Sequence, residues 1–187
     1  MELESEVAVF DNVLSENDFS CLQSVVMSQD FPWYYSRKTR EDEVVSNFYL
    51  YGWLHMIFKE GRWHTHEPHL FINSINSVLT RAGENRFEVF RARLVMNTIA
   101  PQALINGAHV DSDMPHRTAL FYINDSDGDT ILYDQFLSGA VGPKSVHQTI
   151  TPVANRLVCF DGLRYHSGTL PTSTARRIVL NVNYRPL

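Results

Sequence analysis

At 187 residues the chain is long enough to bury one hydrophobic core, and it reads as a single domain. Hydrophobic residues at 44% and charged residues at 20% exclude a disordered or fibrous chain. A net charge of −5 without a run of Lys or Arg argues against an extended nucleic-acid surface. The acidic start, Met1 to Glu6, lacks the basic and apolar regions of a secretion signal, and no apolar run reaches bilayer length. The expected setting is therefore cytoplasmic, with no membrane partner and with Cys21 and Cys159 as buried free thiols.

Val7 to Phe10 reads as a short strand. Ser15 followed by Asp18 predicts a capped helix through Met27, with Phe19, Leu22, Val25 and Val26 at helical spacing. Residues 31–67 are rich in aromatics and show no clear period. A second helix is predicted over Leu70 to Arg81, ending near Gly83. From Phe87 onward the pattern changes to short β-rich runs at 87–98, 117–124, 130–134, 145–150, 156–160 and 177–184. Turn formers separate them, among them Asp125 to Asp129, Gly139, Gly142-Pro143 and Pro152. Helices first and many short strands afterwards predict an α+β fold. Residues 1–86 form a helical cap region, and 87–187 form a β-barrel or a double-sheet jelly roll.

The chemistry centres on His109-Val110-Asp111. In extended chain, residues i and i+2 share a face, so one imidazole and one carboxylate converge. Alone this is a weak signal, equally a loop His beside a turn Asp. His166 follows the apolar run Leu157 to Phe160, and a strand carrying it opposite His109 would complete a two-His-one-carboxylate facial triad of the non-haem iron type. The last strand alternates as well. Ile178, Leu180, Val182 and Tyr184 fall on one face, and Arg177, Asn181, Asn183 and Arg185 on the other. Arg177, eleven residues after His166, suits bidentate capture of a carboxylate, while Arg176 points away.

Together, His109-x-Asp111, His166 and Arg177 resemble the 2-oxoglutarate/Fe(II) dioxygenases, and the prolyl 4-hydroxylase-like branch in particular. Phe121-Tyr122-Ile123-Asn124 resembles that branch's Tyr-Leu-Asn strand, and Gly128-Asp129-Thr130 its Gly-Glu-Thr segment. Pro152 through Asp161-Gly162 to His166-Ser167-Gly168 resembles the stretch before its distal His, and Val9 to Ser15 its amino-terminal cap. The resemblance implies a double-stranded β-helix (jelly-roll) core with amino-terminal helices packed on it. It implies Fe(II) on His109, Asp111 and His166, with 2-oxoglutarate and O₂ as co-substrates. Arg177 and Tyr122 would bind the distal carboxylate of 2-oxoglutarate, and Asn97 would lie beside it. Two departures stand out: Asn106 and Thr98 occupy positions where the family often has Tyr.

The implied substrate is a prolyl residue in a peptide or protein. The alternatives are a free amino acid or metabolite, a nucleobase (hinted at by Asn181-Val182-Asn183-Tyr184-Arg185), or a barrel that binds without catalysis. His64-Thr65-His66-Glu67-Pro68-His69 is a rival metal motif without cupin or His-Glu-x-x-His spacing, and an ordinary polar loop explains it equally. His55, His116 and His147 read as isolated structural or surface residues. Phe31, Trp33, Tyr34 and Tyr35 read as packing between cap and barrel, or as a lid over substrate.

Overall fold

A computed structural model describes residues 7–37, 51–139 and 144–187. The acidic start, the expected turn at Gly142-Pro143 and the middle of the aromatic stretch lie outside the described residues. Those described form strands β1 (Ala8–Phe10), β2 (Tyr34–Arg37), β3 (Tyr51–Lys59), β4 (Arg62–Trp63), β5 (Phe87–Thr98), β6 (Arg117–Tyr122), β7 (Thr130–Phe136), β8 (Val146–Ile150), β9 (Leu157–Asp161), β10 (Arg164–Gly168) and β11 (Arg176–Pro186). Two helices accompany them, α1 (Glu16–Val26) and α2 (Pro68–Arg81). The larger sheet runs β1-β9-β6-β11-β5-β3-β2 with β4 on β3, and the smaller runs β10-β7-β8. All pairings are antiparallel. This is a double-sheet jelly roll, as the strand spacing predicts.

Alternation along β5 and β11 determines what each face of the larger sheet does. Ala92, Leu94 and Met96 on β5, with Ile178, Leu180, Val182 and Tyr184 on β11, pack into one core with Leu22 and Val26 of α1 and with Phe71, Ile75, Val78 and Leu79 of α2. The other face meets the smaller sheet through Leu120, Tyr122, Val158, Phe160 and Val179 against Leu132 and Ile150. Residues of β5 and β11 that alternate with the helix-facing set project into this second space, where the candidate site lies.

Local signals explain both helices. The Ser15 hydroxyl accepts from the Asp18 backbone N–H at 3.2 Å and donates to the Asp18 carboxylate at 2.7 Å, closing the first turn of α1. Pro68 opens α2 two residues earlier than predicted, because a first-turn proline forfeits no helical hydrogen bond. Gly83 follows α2 at φ 87°, a conformation favourable to glycine.

Three expectations are corrected. Segment 1–86 is not helical throughout: it also supplies β1 to β4 and extends the larger sheet. β3 shows no alternation in sequence because both of its faces carry apolar residues and a register shift falls between Met56 and Phe58. Cys21 is exposed on α1, whereas Cys159 is buried; both are free thiols. The aromatic group divides: Phe31 packs against Trp33, His55 and Phe71, whereas Tyr34 and Tyr35 are exposed.

Asn155 ties the amino-terminal segment to the barrel. It sits at φ 63°, which Asn tolerates better than most residues. Its amide donates to Leu14 O at 2.9 Å and accepts from Leu14 N at 2.9 Å. Asn155→Ala strands two buried backbone groups, at a cost of about 2–4 kcal/mol. The expected result is a thermal midpoint lower by roughly 5–10 °C, with Asn155→Asp, which keeps the acceptor, in between. An unchanged midpoint would show that this tie contributes nothing.

Candidate functional site

His109 and His166 face each other across a short antiparallel bridge. Each backbone N–H donates to the other's carbonyl at 2.9 Å. That exchange adds the segment at His109 to the free edge of β10 and sets the two imidazoles side by side, with ring centroids 4.6 Å apart. Asp111, two residues on, turns inward with its side chain 1% exposed. The His109 Nε2 lies 4.0 Å from Asp111 Oδ1, and the His166 Nε2 lies 3.7 Å from Asp111 Oδ2. One ligand atom from each residue falls within 4.8 Å of the others, and no other such group of three gathers among the described residues.

The surroundings of the imidazoles suit ligation. His109 Nδ1 lies 3.0 Å from Gly107 O, and His166 Nδ1 lies 3.2 Å from Arg164 O. A proton on each Nδ1 donates to its carbonyl, an orientation that points each Nε2 toward the shared space as the ligating atom. Burial, outweighing the nearby Asp111 charge, lowers the His166 pKa to about 4, which keeps that ring neutral near pH 7. Two imidazole nitrogens and a carboxylate oxygen on one face are a donor set that fits iron(II).

Asp111 is held by four donors. Arg93 Nη2 and Arg91 Nη2 approach Oδ1 at 2.7 and 3.0 Å. Asn181 and Asn183 donate to Oδ2 at 2.9 and 3.0 Å. The register produces this cage, because Arg93 lies opposite Asn181 and Arg91 opposite Asn183 on the β5–β11 pair. Burial alone would raise the Asp111 pKa; the positive charges around it, Arg93 foremost and Arg91 with it, more than reverse that and hold it well below the usual carboxylate range.

Arg177 lies opposite Asn97 on the same strand pair, and both line the cavity. The arginine is 6% exposed. Its guanidinium meets hydroxyls: Nη2 donates to Thr130 Oγ1 at 2.5 Å, and the group sits 5.6 Å from the Tyr122 ring centroid. Its Nε is buried without a hydrogen-bond partner among the described residues. Burial pushes its pKa down. An arginine in that setting calls for an anion. Gly128 permits the approach, since a Cβ there would stand 3.0 Å from Arg177 Cδ and 2.8 Å from Thr169 O. Asn124 fixes the start of β11 by donating to Arg176 O and accepting from Ile178 N.

Tyr122 stands behind the cavity wall. It is fully buried, and its hydroxyl donates to Thr130 Oγ1 at 2.7 Å. Thr130, not Tyr122, is the hydroxyl on the wall. The cavity measures ≈ 460 Å³ and also takes in Asn106, Leu54, Val95 and Val179. Asn106 donates to Gly168 O at 2.9 Å, and its Oδ1 is another buried atom without a partner among the described residues.

The remaining histidines lie elsewhere. His64, His66 and His69 are exposed. His55 sits in the aromatic core beneath the larger sheet, its Nδ1 2.9 Å from Pro32 O. His116 packs on Gly162, and His147 pairs with Asp134 at the surface. Arg91, Arg93 and Thr130 are the site residues that sequence reasoning missed. A signal existed for the first two: Arg91, Arg93, Val95 and Asn97 share one face of a strand whose other face is apolar.

No family model and no curated protein matches this sequence. Among solved structures it is similar to a 2OG-Fe(II) oxygenase family oxidoreductase from Burkholderia pseudomallei, at TM-score 0.72 and 9% identity, covering 98% of this chain and 87% of that one. It is similar to a prolyl hydroxylase from Trichoplax adhaerens, solved with a hypoxia inducible factor peptide fragment, at TM-score 0.63 and 16% identity, covering 98% and 84%. HygX from Streptomyces hygroscopicus, solved with nickel, 2-oxoglutarate and hygromycin B, matches at TM-score 0.60 and 11% identity, covering 97% and 83%. The chain therefore has the fold of the 2-oxoglutarate/Fe(II) oxygenases, the double-stranded β-helix that its motifs imply. No helix among the described residues is long and apolar enough to cross a membrane.

Proposed function

We propose that the chain is a 2-oxoglutarate- and Fe(II)-dependent dioxygenase that hydroxylates a C–H bond. The observation that carries this reading is one cavity holding both a His-Asp-His donor set and a buried guanidinium that forms no ion pair among the described residues. His109, Asp111 and His166 hold Fe(II), and Arg177 binds the distal carboxylate of 2-oxoglutarate. Thr130 joins that contact, Tyr122 supports it from behind, and Asn97 lies alongside. Bound iron supplies O₂ activation, in which 2-oxoglutarate is decarboxylated to succinate and CO₂ and one oxygen atom enters the substrate. The protein's part is to aim each Nε2 at the metal, to hold Asp111 ionised, to orient the co-substrate through Arg177, and to exclude water with Leu54, Val95 and Val179. Anaerobic titration with Fe(II) and 2-oxoglutarate tests this. A visible metal-to-ligand band is expected, and its absence would overturn the reading.

The substrate we propose is a prolyl residue in a peptide or protein. Support comes from the run of motifs from Tyr122-Ile123-Asn124 to His166-Ser167-Gly168, and from exposed Tyr34 and Tyr35 on β2, whose Ser36 lines the cavity. The several arginines in the cavity favour a second reading, a free amino acid or other small metabolite bearing an acid. Proline-rich peptides, free proline, other amino acids and methylated oligonucleotides are to be incubated with enzyme, Fe(II) and 2-oxoglutarate. A mass gain of one oxygen on prolyl peptides alone is expected. Coupled turnover confined to a metabolite or an oligonucleotide would sink the prolyl assignment.

A further inference from the structure

The ionisable side chains among the described lining residues are Arg91, Arg93, Arg177, Asp111, His109 and His166. With the imidazoles neutral, as metal ligation requires, three guanidinium charges face one carboxylate. The cavity is thus electropositive in a chain whose net charge is −5. Under the reading above, on which this inference rests, iron(II) and doubly charged 2-oxoglutarate cancel each other, so the three arginines against Asp111 still leave two positive charges unmatched, and Arg177 is engaged by the co-substrate. Arg91 and Arg93 are then left sharing Asp111 with a divalent cation. Both guanidiniums approach the same oxygen, at 3.0 and 2.7 Å, so the cation and the arginines repel one another.

Orienting Asp111 does not need two arginines, because Asn181 and Asn183 already hold its other oxygen. Arg91 is fixed in place, its Nε donating to Asn183 Oδ1 at 2.8 Å and its Nη2 to Asp111 O at 2.9 Å. Arg93 keeps a buried Nε without a hydrogen-bond partner among the described residues. The two side chains are 18% and 22% exposed, enough to meet a ligand entering the cavity. We infer that Arg91 and Arg93 form a docking site for an anionic group of the substrate, a carboxylate or a phosphate, beside the metal centre. An anion there offsets the charge that the metal otherwise confronts, so anion and metal tighten each other's binding by the same factor. The site thereby selects acidic substrates and couples their arrival to the loaded metal centre.

Manganese(II) serves as the probe, read by the electron paramagnetic resonance of the free ion and at saturating 2-oxoglutarate so that Arg177 is occupied. Mn(II) affinity is to be measured alone and with inorganic phosphate, N-acetylproline or N-acetylprolinamide. In the wild type, phosphate or N-acetylproline tightens Mn(II) about tenfold, and the uncharged amide does nothing. Whichever anion acts identifies the group as a phosphate or a carboxylate. Arg91→Gln with Arg93→Gln retains hydrogen-bond donors toward Asp111 but removes the charge. It is expected to bind Mn(II) more tightly without an anion and to lose the anion effect. Arg93→Lys keeps the charge and the effect, and Arg93→Gln alone serves if the double variant melts early. No tightening by either anion, or equal tightening in the glutamine variants, overturns the inference. Failure of the wild type to bind Mn(II) at all would instead overturn the dioxygenase reading beneath it.

Discussion

Replacing any one of His109, Asp111 or His166 by alanine is expected to cut Fe(II)-dependent 2-oxoglutarate turnover by about 100-fold or more, since changes to mere supporting partners of a metal ligand already cost roughly 10- to 100-fold. The three variants differ in what else they disturb. His109 keeps 38% of its side-chain surface, so His109→Ala leaves a folded protein and is the cleanest test. Asp111→Ala strands Arg91, Arg93, Asn181 and Asn183 around an empty centre. Breaking a fully buried ion pair costs about 3–5 kcal/mol; the loss here is smaller, because the guanidiniums retain about a fifth of their surface. Asp111→Asn does not repair this, because the amide nitrogen must face two donors in either orientation. Metal content after anaerobic loading, succinate yield and thermal midpoint separate the effects. Near-wild-type succinate at limiting iron in any variant would remove that residue from the ligand set.

Arg177→Met is expected to weaken 2-oxoglutarate binding by about 2–5 kcal/mol, which is roughly 30-fold or more. Mn(II) binding without co-substrate should hold. The same change should not lower the thermal midpoint of the ligand-free protein, because burial of this guanidinium, which forms no ion pair among the described residues, outweighs its hydroxyl contacts and the charge of Asp129. That combination distinguishes a co-substrate anchor from a structural arginine, whose loss would lower the midpoint and leave 2-oxoglutarate affinity alone. Arg176→Ala is the control. Its side chain belongs to the opposite face of β11, and a change within about 0.5 kcal/mol is expected. Equal losses for the two arginines would mean that the face assignment of β11 is wrong.

Much of this was legible because it is local. The Ser15 cap, the end of α2 before Gly83 and the full span of β5 follow from capping chemistry and from a period of two or 3.6. The jelly roll followed from the count and spacing of short strands. The i, i+2 pair at His109 and Asp111 and the placement of Arg177 opposite Arg176 are also consequences of strand alternation. β10 was harder to read. Arg164, His166 and Ser167 turn inward, so the strand looks polar although it is buried. β3 escaped because apolar residues on both faces erase alternation, and β2, four residues from Tyr34 to Arg37, is too short to show a period.

The sequence alone determined which residues share a face and which residue types could bind a metal, because a strand's side-chain direction is set by its backbone. Only the tertiary structure decided what those faces meet. The exchange of backbone hydrogen bonds between His109 and His166 joins segments 57 residues apart in the chain, and no local period encodes it. The register of β5 on β11 set Arg93 beside Asn181 and Arg91 beside Asn183, closing four donors on Asp111. Packing of the two sheets on each other put Tyr122 of β6 behind Thr130 of β7 rather than on the cavity wall. Pairing register depends on turns, bulges and core packing summed over the whole sheet. It therefore exists only once the sheet has assembled.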